Sequence, residues 1–333
     1  MQRIGIMGGG AWGTALAVAA RRAGRDAVLW AREPETVDAI HRYRENRVFL
    51  PGIQLDPAIG ATGELEEAGA ADVVLLAVPA QHLRAVAAAA ARHWRPGTAA
   101  VVCAKGIEAA SGLLMHEVAA EVLPAVAIGL LSGPSFAAEV GRGLPTAVSF
   151  AAADPGLRTA VPGALATPAF RIYGTGDMVG TAVGGAVKNV LAIACGIVQG
   201  RGLGDNARAA LITRGLAEIT RLAEAKGGRA RTLMGLGGLG DLVLTCTAMQ
   251  SRNYSLGVQL GRGRRLPEIL AERSGVTEGV SSAPAVLALA RRLAVEMPIC
   301  SAVDAVLHHG ADIDAVIAAL LARPLRQEAP ESA

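Results

Sequence analysis

The run Thr181 to Val198, TAVGGAVKNVLAIACGIV, holds one charged side chain, Lys188, with Asn189 beside it. A helix that is apolar all round belongs in a core, and a lysine is almost never fully buried without a partner. Such an ammonium needs a carboxylate, a ligand anion or a wet pocket. Desolvation lowers an amine's pKa by up to ~3–5 units, which suits proton donation and acceptance near neutrality. Gly184 and Gly185 stand one turn earlier on the face that Lys188 shares, and bare backbone there leaves room for something to approach the amine. The plain alternative is a structural lysine satisfied inside a core. A membrane span needs ~20 apolar residues without charge, whereas this run is short and centrally charged.

A second constellation lies at residues 235 to 253, GLGGLGDLVLTCTAMQSRN, where Asp241 is the only acid and Arg252 the only base. The glycines before Asp241 suggest a loop that lets the carboxylate reach inward, as a partner that holds and orients Lys188. Thr245 follows one helical turn later. Arg252 and Asn253 have the chemistry of anion ligands, because a guanidinium fork matches phosphate geometry. The bland reading is a loop with an exposed Asp–Arg pair.

The third constellation is Gly8-Gly9-Gly10-Ala11-Trp12-Gly13, between a short apolar strand, Arg3 to Met7, and a helical pattern from Thr14 to Ala23. Gly8, Gly10 and Gly13 then have separate tasks: a tight turn, a bare backbone against pyrophosphate and a close helix–sheet contact. The hexapeptide alone is weak. Gly235 to Gly240 also fits it, but no strand precedes that copy. Ala27 to Trp30 reads as the second strand, followed by Arg32 and only then Glu33. An arginine there pairs with the 2′-phosphate of NADP, so NADPH is favoured over NADH.

These groups need elements to hold them. Further strands are expected at 72–78, 99–103, 126–131, 147–151 and 170–173, with an alanine-rich helix over 83–93. Lys105 sits just past the carboxyl end of one strand, where ligands bind in open α/β sheets. Ser132-Gly133-Pro134-Ser135 follows the next, and Ser135 is placed to cap the helix after it. Residues 41 to 50 read as a helix and a loop over the cofactor. From the Lys188 segment onward strands nearly vanish. The expected fold class is α/β, with a Rossmann-like doubly wound domain over residues 1–180 and an all-α domain over 181–333. Helices are expected over 207–226, capped by Asn206, then over 284–293 and 301–308. Residues 274 to 279, SGVTEG, read as a loop returning to the cofactor, and PLRQEAPESA as a disordered tail.

Bulk properties narrow the classes. A chain of 333 residues with 52% hydrophobic content is long enough for two folded domains. A net charge of +3 gives no argument for nucleic acid or a membrane surface. Cys103, Cys195, Cys246 and Cys300 show neither CxxC nor disulfide-like spacing and read as core residues in a reducing cytoplasm. The N-terminal apolar run imitates a signal peptide, but cleavage would remove the glycine motif and its strand. His308, His309 and Asp312 have poor spacing for a metal, and no metal site is expected.

Taken together, GGGAWGTALA, FLPGI, KGIE, SGPSFAAEV, GLPTA, GGAVKNVLAIACG, NARAALITRGLAE, GLGDLVLTCTAMQSRN and VTEG resemble bacterial-type NAD(P)-dependent glycerol-3-phosphate dehydrogenase over nearly the whole chain. The resemblance implies reversible hydride transfer between dihydroxyacetone phosphate and sn-glycerol 3-phosphate, feeding glycerophospholipid synthesis. It implies that Lys188 is the proton donor and acceptor, and that Lys105, Gly133, Ser135, Asp241, Ser251, Arg252 and Asn253 also contact substrate. It assigns Trp12, Arg32, Lys105, Ala137, Arg252, Val276 and Glu278 to the cofactor, beside Gly8, Gly10, Ala11 and Gly13 of the motif. Ala11 stands where a serine is common, and only its backbone N–H remains to meet pyrophosphate. A homodimer is the family expectation. Two other readings stay open: a related two-domain dehydrogenase for another small keto or hydroxy acid, and a non-catalytic NADPH-binding regulator.

Overall fold

The computed structural model describes residues 1–273 and 275–324. Ser274 of the SGVTEG segment and all of the expected tail except Pro324 lie outside the described residues. Eight strands form one sheet: β1 (Arg3–Met7), β2 (Asp26–Trp30), β3 (Gly60–Thr62), β4 (Val73–Leu76), β5 (Ala99–Val102), β6 (Ala127–Ser132), β7 (Thr146–Ala152) and β8 (Phe170–Thr175). Their order is β3-β2-β1-β4-β5-β6-β7-β8. The strands from β3 to β6 in this order are parallel, with Ile4 of β1 opposite Val73 of β4 and Val73 opposite Ala99 of β5. β4 and β5 read VVLL and AAVV and are buried throughout, as a sheet covered on both faces requires. β7 runs antiparallel to β6, and β8 is parallel to β7.

Departures from the sequence reading have local causes. β3 has only the sequence GAT and lacks an apolar run to announce it. Asn206 does not cap a helix; it lies within the helix Gly204–Ala225, which begins after Leu203. Ser135 is not a cap either, because the helix Ala137–Arg142 starts after Phe136 and Ser135 Oγ donates to the Gly133 carbonyl at 2.9 Å. Pro284 lies inside the helix Glu278–Arg292, not at its start. The glycines at 236–240 form a single π-helical turn, and Asp241 opens the helix Asp241–Thr247, so the carboxylate is presented from helical backbone.

The Lys188 helix spans Met178–Gly200, and every residue from Gly180 to Ile197 is buried. Asp177 starts it, accepting from the N–H of Gly180 at 2.8 Å and of Arg229 at 2.9 Å. Among the described residues it is the one helix long and apolar enough to cross a membrane, yet its whole apolar window is buried inside the protein. It crosses the helix Arg252–Gly261 with the two backbones in contact. A Cβ on Gly196 would lie 2.1 Å from the Tyr254 carbonyl oxygen, and one on Gly257 2.1 Å from that of Ile193.

This glycine seam holds Arg252 and Asn253 against the helix that carries Lys188. Gly257→Leu should therefore lower stability by at least about 1–3 kcal/mol, the usual cost of overpacking, read as a fall in the urea midpoint. An unchanged midpoint would show that the seam is not tightly packed.

Candidate active site

β1, β4, β5 and β6 are parallel neighbours, so their carboxyl ends share one edge of the sheet. The glycine turn follows β1, Ala80 follows β4, Lys105 follows β5 and Gly133 follows β6. The helical half docks on that edge and brings Lys188 and Asp241 to Lys105.

Lys188 is 6% exposed and Asp241 1%. Lys188 Nζ donates to Asp241 Oδ1 at 2.5 Å and to Thr245 Oγ1 at 2.9 Å. Lys105 Nζ donates to the other carboxylate oxygen, Oδ2, at 2.7 Å and to the Gly133 carbonyl at 3.0 Å. The Thr245 hydroxyl donates to the Asp241 carbonyl at 2.6 Å, so its oxygen is turned to accept from Lys188. One carboxylate thus holds two ammonium groups. Burial pushes the Lys188 ammonium down from the ordinary 10.5 to about 8; the Lys105 charge acts the same way, and Asp241 opposes both. Burial would raise the Asp241 carboxyl, but Lys105 and Lys188 together hold it below the usual carboxylate range.

The glycines before Lys188 do not open space for a ligand. A Cβ on Gly184 would sit 2.5 Å from the Gly237 carbonyl oxygen, and one on Gly185 3.0 Å from Ser132 Oγ and 3.4 Å from Lys105 Cγ. They admit the π-helical turn and the Lys105 stem, which is how a second lysine reaches the same carboxylate.

Asn253 faces inward: its Nδ2 donates to Asn189 Oδ1 at 3.0 Å and its Oδ1 accepts from the Gly279 N–H at 2.9 Å. One Nδ2 hydrogen remains for a ligand. Ser251 caps the helix Arg252–Gly261 through the Tyr254 N–H at 3.2 Å. Arg252 is exposed and lies against Gly275, where a Cβ would come 2.3 Å from Nη1. Arg273 carries no sequence signal, yet it donates to the Arg252 carbonyl at 2.6 Å and brings a second guanidinium to this corner. Glu278 crosses to the sheet half, accepting from the Ala80 N–H at 3.2 Å. Burial raises its carboxyl, opposed by that N–H and by Arg252, and its Oε2 is buried without a hydrogen-bond partner. Val276 is exposed and Ala137 half-buried.

The glycine turn suits a dinucleotide. Gly8 has φ +130, and a Cβ there would meet the Ala77 carbonyl at 2.7 Å; a Cβ on Gly13 would lie 1.9 Å from the Gly8 oxygen. Gly10 has nothing within 4 Å of such a Cβ. Thr14 supplies the first N–H bonded back to the Gly10 carbonyl, at 3.0 Å, so the preceding N–H groups at this helix start are the ones an anion takes. Trp12 Nε1 is also buried without a partner. The GLGGLG copy is different: Gly238 packs on Leu233, where a Cβ would be 2.2 Å from its carbonyl oxygen. Arg32 is bound to Glu33 at 2.7 Å, with its side chain 72% exposed. The sequence reading places residues 41 to 50 over the cofactor without singling out Asn46, whose amide donates to the Gly9 carbonyl at 2.8 Å.

A largely parallel sheet with a glycine turn at its carboxyl edge, and a buried, carboxylate-bound lysine docked on the same edge, is the architecture of a nucleotide-dependent oxidoreductase. The signatures of the N-terminal and C-terminal parts of NAD-dependent glycerol-3-phosphate dehydrogenase match residues 3–157 and 177–318. The chain belongs to this family. It is 57% identical to glycerol-3-phosphate dehydrogenase [NAD(P)+] of Rhodospirillum rubrum over 329 residues, 98% of this chain and 94% of that protein. It is 56% identical to the protein of the same name from Caulobacter vibrioides, over 98% of this chain and 99% of that one. The crystal structure of glycerol-3-phosphate dehydrogenase from Coxiella burnetii superposes with a TM-score of 0.93 at 39% identity, covering 97% of this chain and 99% of that one. A match along the whole chain favours neither the other-substrate dehydrogenase nor the non-catalytic regulator.

Removing the shared carboxylate leaves two ammonium groups facing each other. Asp241→Asn should cost about 3–5 kcal/mol of folding stability, as breaking a buried ion pair from one side does, measured by urea denaturation. A loss near the ~1 kcal/mol of a surface pair would show that the charges are not mutually neutralised.

Proposed function

We propose that the chain catalyses the reversible reduction of dihydroxyacetone phosphate to sn-glycerol 3-phosphate with NADPH or NADH, supplying the glycerol phosphate backbone of glycerophospholipids. The observation that carries this reading is the buried Lys188, held by Asp241 and Thr245 beside Lys105, in a chain that matches the dehydrogenase family over residues 3–157 and 177–318.

The turn Gly8, Gly10, Ala11, Trp12 and Gly13 holds the pyrophosphate, with Ala137, Val276 and Glu278 around the rest of the dinucleotide. The bound nicotinamide supplies or accepts the hydride. Arg32 meets the 2′-phosphate of NADPH, which is the preferred cofactor, and must leave Glu33 to do so. Arg252 holds the substrate phosphate, helped by the remaining Asn253 hydrogen and by Ser251, Gly133 and Ser135 of the neighbouring turns.

In reduction, Lys188 gives a proton to the oxygen that was the substrate carbonyl. In oxidation, its neutral amine takes the proton from the alcohol. Thr245 and Asp241 fix the amine's position, and Lys105 adds positive charge where alkoxide character develops. A pKa of about 8 leaves both protonation states accessible close to neutrality. Residues 1–180 and 181–333 act as the nucleotide-binding and catalytic halves, and the active enzyme is a cytoplasmic homodimer.

The primary test is absorbance at the reduced-nicotinamide band with NADPH or NADH, comparing dihydroxyacetone phosphate with dihydroxyacetone. Oxidation with the phosphorylated ketone alone is expected; equal rates with both ketones would remove the phosphate clamp. Lys188→Ala should lower kcat ~10²–10⁴-fold, the usual share of general acid catalysis, with the Kd for NADPH little changed.

The pH dependence has a definite sign. Reduction needs the ammonium, so its kcat/KM should fall as pH rises through about 8, whereas oxidation needs the free amine and should rise through the same value. Stability follows linkage: between about 8 and the ordinary 10.5 the unfolded chain holds the extra proton, so the Lys188 contribution to stability increases with pH across that window. Parallel pH profiles in the two directions would exclude Lys188 as the acid–base group.

A further inference from the structure

Asn46 lies between the helix Pro34–Tyr43 and β3, in a stretch with no motif. It is 1% exposed, and its side chain is fully engaged. Nδ2 donates to the Gly9 carbonyl and to Thr14 Oγ1, both at 2.8 Å, while Oδ1 accepts from the Phe49 N–H at 3.1 Å. Thr14 Oγ1 in turn donates to the Gly10 carbonyl at 2.9 Å, which also accepts the Thr14 N–H. Two successive carbonyls of the glycine turn are therefore held from the protein side.

The direction of those carbonyls fixes the direction of the next N–H groups. In a trans peptide the N–H points opposite to the C=O, and no cis peptide occurs among the described residues. Tying the Gly9 oxygen to Asn46 turns the Gly10 N–H away from Asn46. Tying the Gly10 oxygen to Thr14 does the same for the Ala11 N–H. Without such ties a glycine peptide rotates at little steric cost, and a rotated peptide would present a carbonyl oxygen to an anion. Gly9 and Gly10 have no side chains to prevent it, and Ala11 has none that can add a hydrogen bond.

We infer that Asn46 is a positioning residue of the dinucleotide site: acting with Thr14, it presets the Gly9–Gly10 and Gly10–Ala11 peptides so that their N–H groups await pyrophosphate oxygens. This rests on the reading of the glycine turn as a dinucleotide seat. The value of the clamp is preorganisation, since a turn held in its binding conformation loses less freedom when the anion arrives.

The test is isothermal titration of NADPH and NADH into the full-length apo protein, beside steady-state kinetics, for Asn46→Ala, Asn46→Asp, Thr14→Val and Thr14→Ser. Asn46→Ala should raise both dinucleotide Kd values about 10- to 100-fold, as expected for losing one or two charge-assisted bonds. Its kcat at saturating dinucleotide should stay within about twofold, the mark of lost binding with chemistry intact. Asn46→Asp should be at least as weak, because its carboxylate sets an acceptor against the Gly9 carbonyl. Thr14→Val should weaken binding, and Thr14→Ser, which keeps the hydroxyl, should restore it. A folded Asn46→Ala protein with the wild-type Kd would overturn the inference, as would equal losses in Kd and kcat. If the Asn46 variants do not fold, the Thr14 pair decides: equal Kd values for Val and Ser overturn it. If the wild type binds neither dinucleotide, the reading of the turn itself fails, and the clamp falls with it.

Discussion

A single buried carboxylate carrying two ammonium groups is the interaction on which the rest of the molecule depends. Asp241 alone would be an expensive charge to bury, and so would Lys188. Together they are tolerated, and Lys105 completes the set from across the sheet edge. The net positive charge of the trio sits where a phosphorylated, oxyanion-forming substrate would be attracted. The same arrangement explains why the Lys188 ammonium is destabilised without being lost: burial and Lys105 push it toward neutrality, and Asp241 restrains it.

The fold's outline was legible because a covered parallel sheet writes continuous apolar runs into its strands. β4 and β5 are such runs, and β1 with the glycine turn could be placed from the residues alone. The short GAT strand had no such signature, and an apolar run does not record strand direction, so the reversal at β7 was not legible. In the site, Asp241 could be paired with Lys188 because each was the only fitting charge in its apolar segment. That Lys105 shares the same oxygen pair was not legible, since 136 residues separate it from Asp241 and nothing local records their contact. Gly184 and Gly185 read as leaving room beside the amine, but the space over them is filled by the Gly237 carbonyl and the Lys105 stem. Asn46 was hidden for a related reason: a polar residue in a polar stretch gives no sign that it is buried until the loop is folded onto the turn.

The two halves are joined by polar contacts of different kinds. Lys105 to Asp241 is an ion pair at the site itself, and Ala80 to Glu278 is a backbone-to-carboxylate bond beside it. Both run from carboxyl ends of strands into the helical half, so the elements expected to hold the dinucleotide and those expected to hold the substrate are tied at the point where the two ligands would meet. Glu278 retains one buried oxygen without a partner, a group that a bound molecule at this junction would satisfy.

The glycine seam has a mechanical consequence. Where Gly196 meets Gly257 and Gly200 meets Gly261, backbone rests directly on backbone, with no long side chains between to shear or change rotamer. The Lys188 helix and the Arg252 helix therefore have little freedom to slide past one another. The Lys188 helix is anchored at its start as well, because buried Asp177 accepts from the N–H groups of both Gly180 and Arg229. The separation between Lys188 on one helix and Asn253 on the other is thereby set by main chain on main chain, the least compressible spacer a protein has.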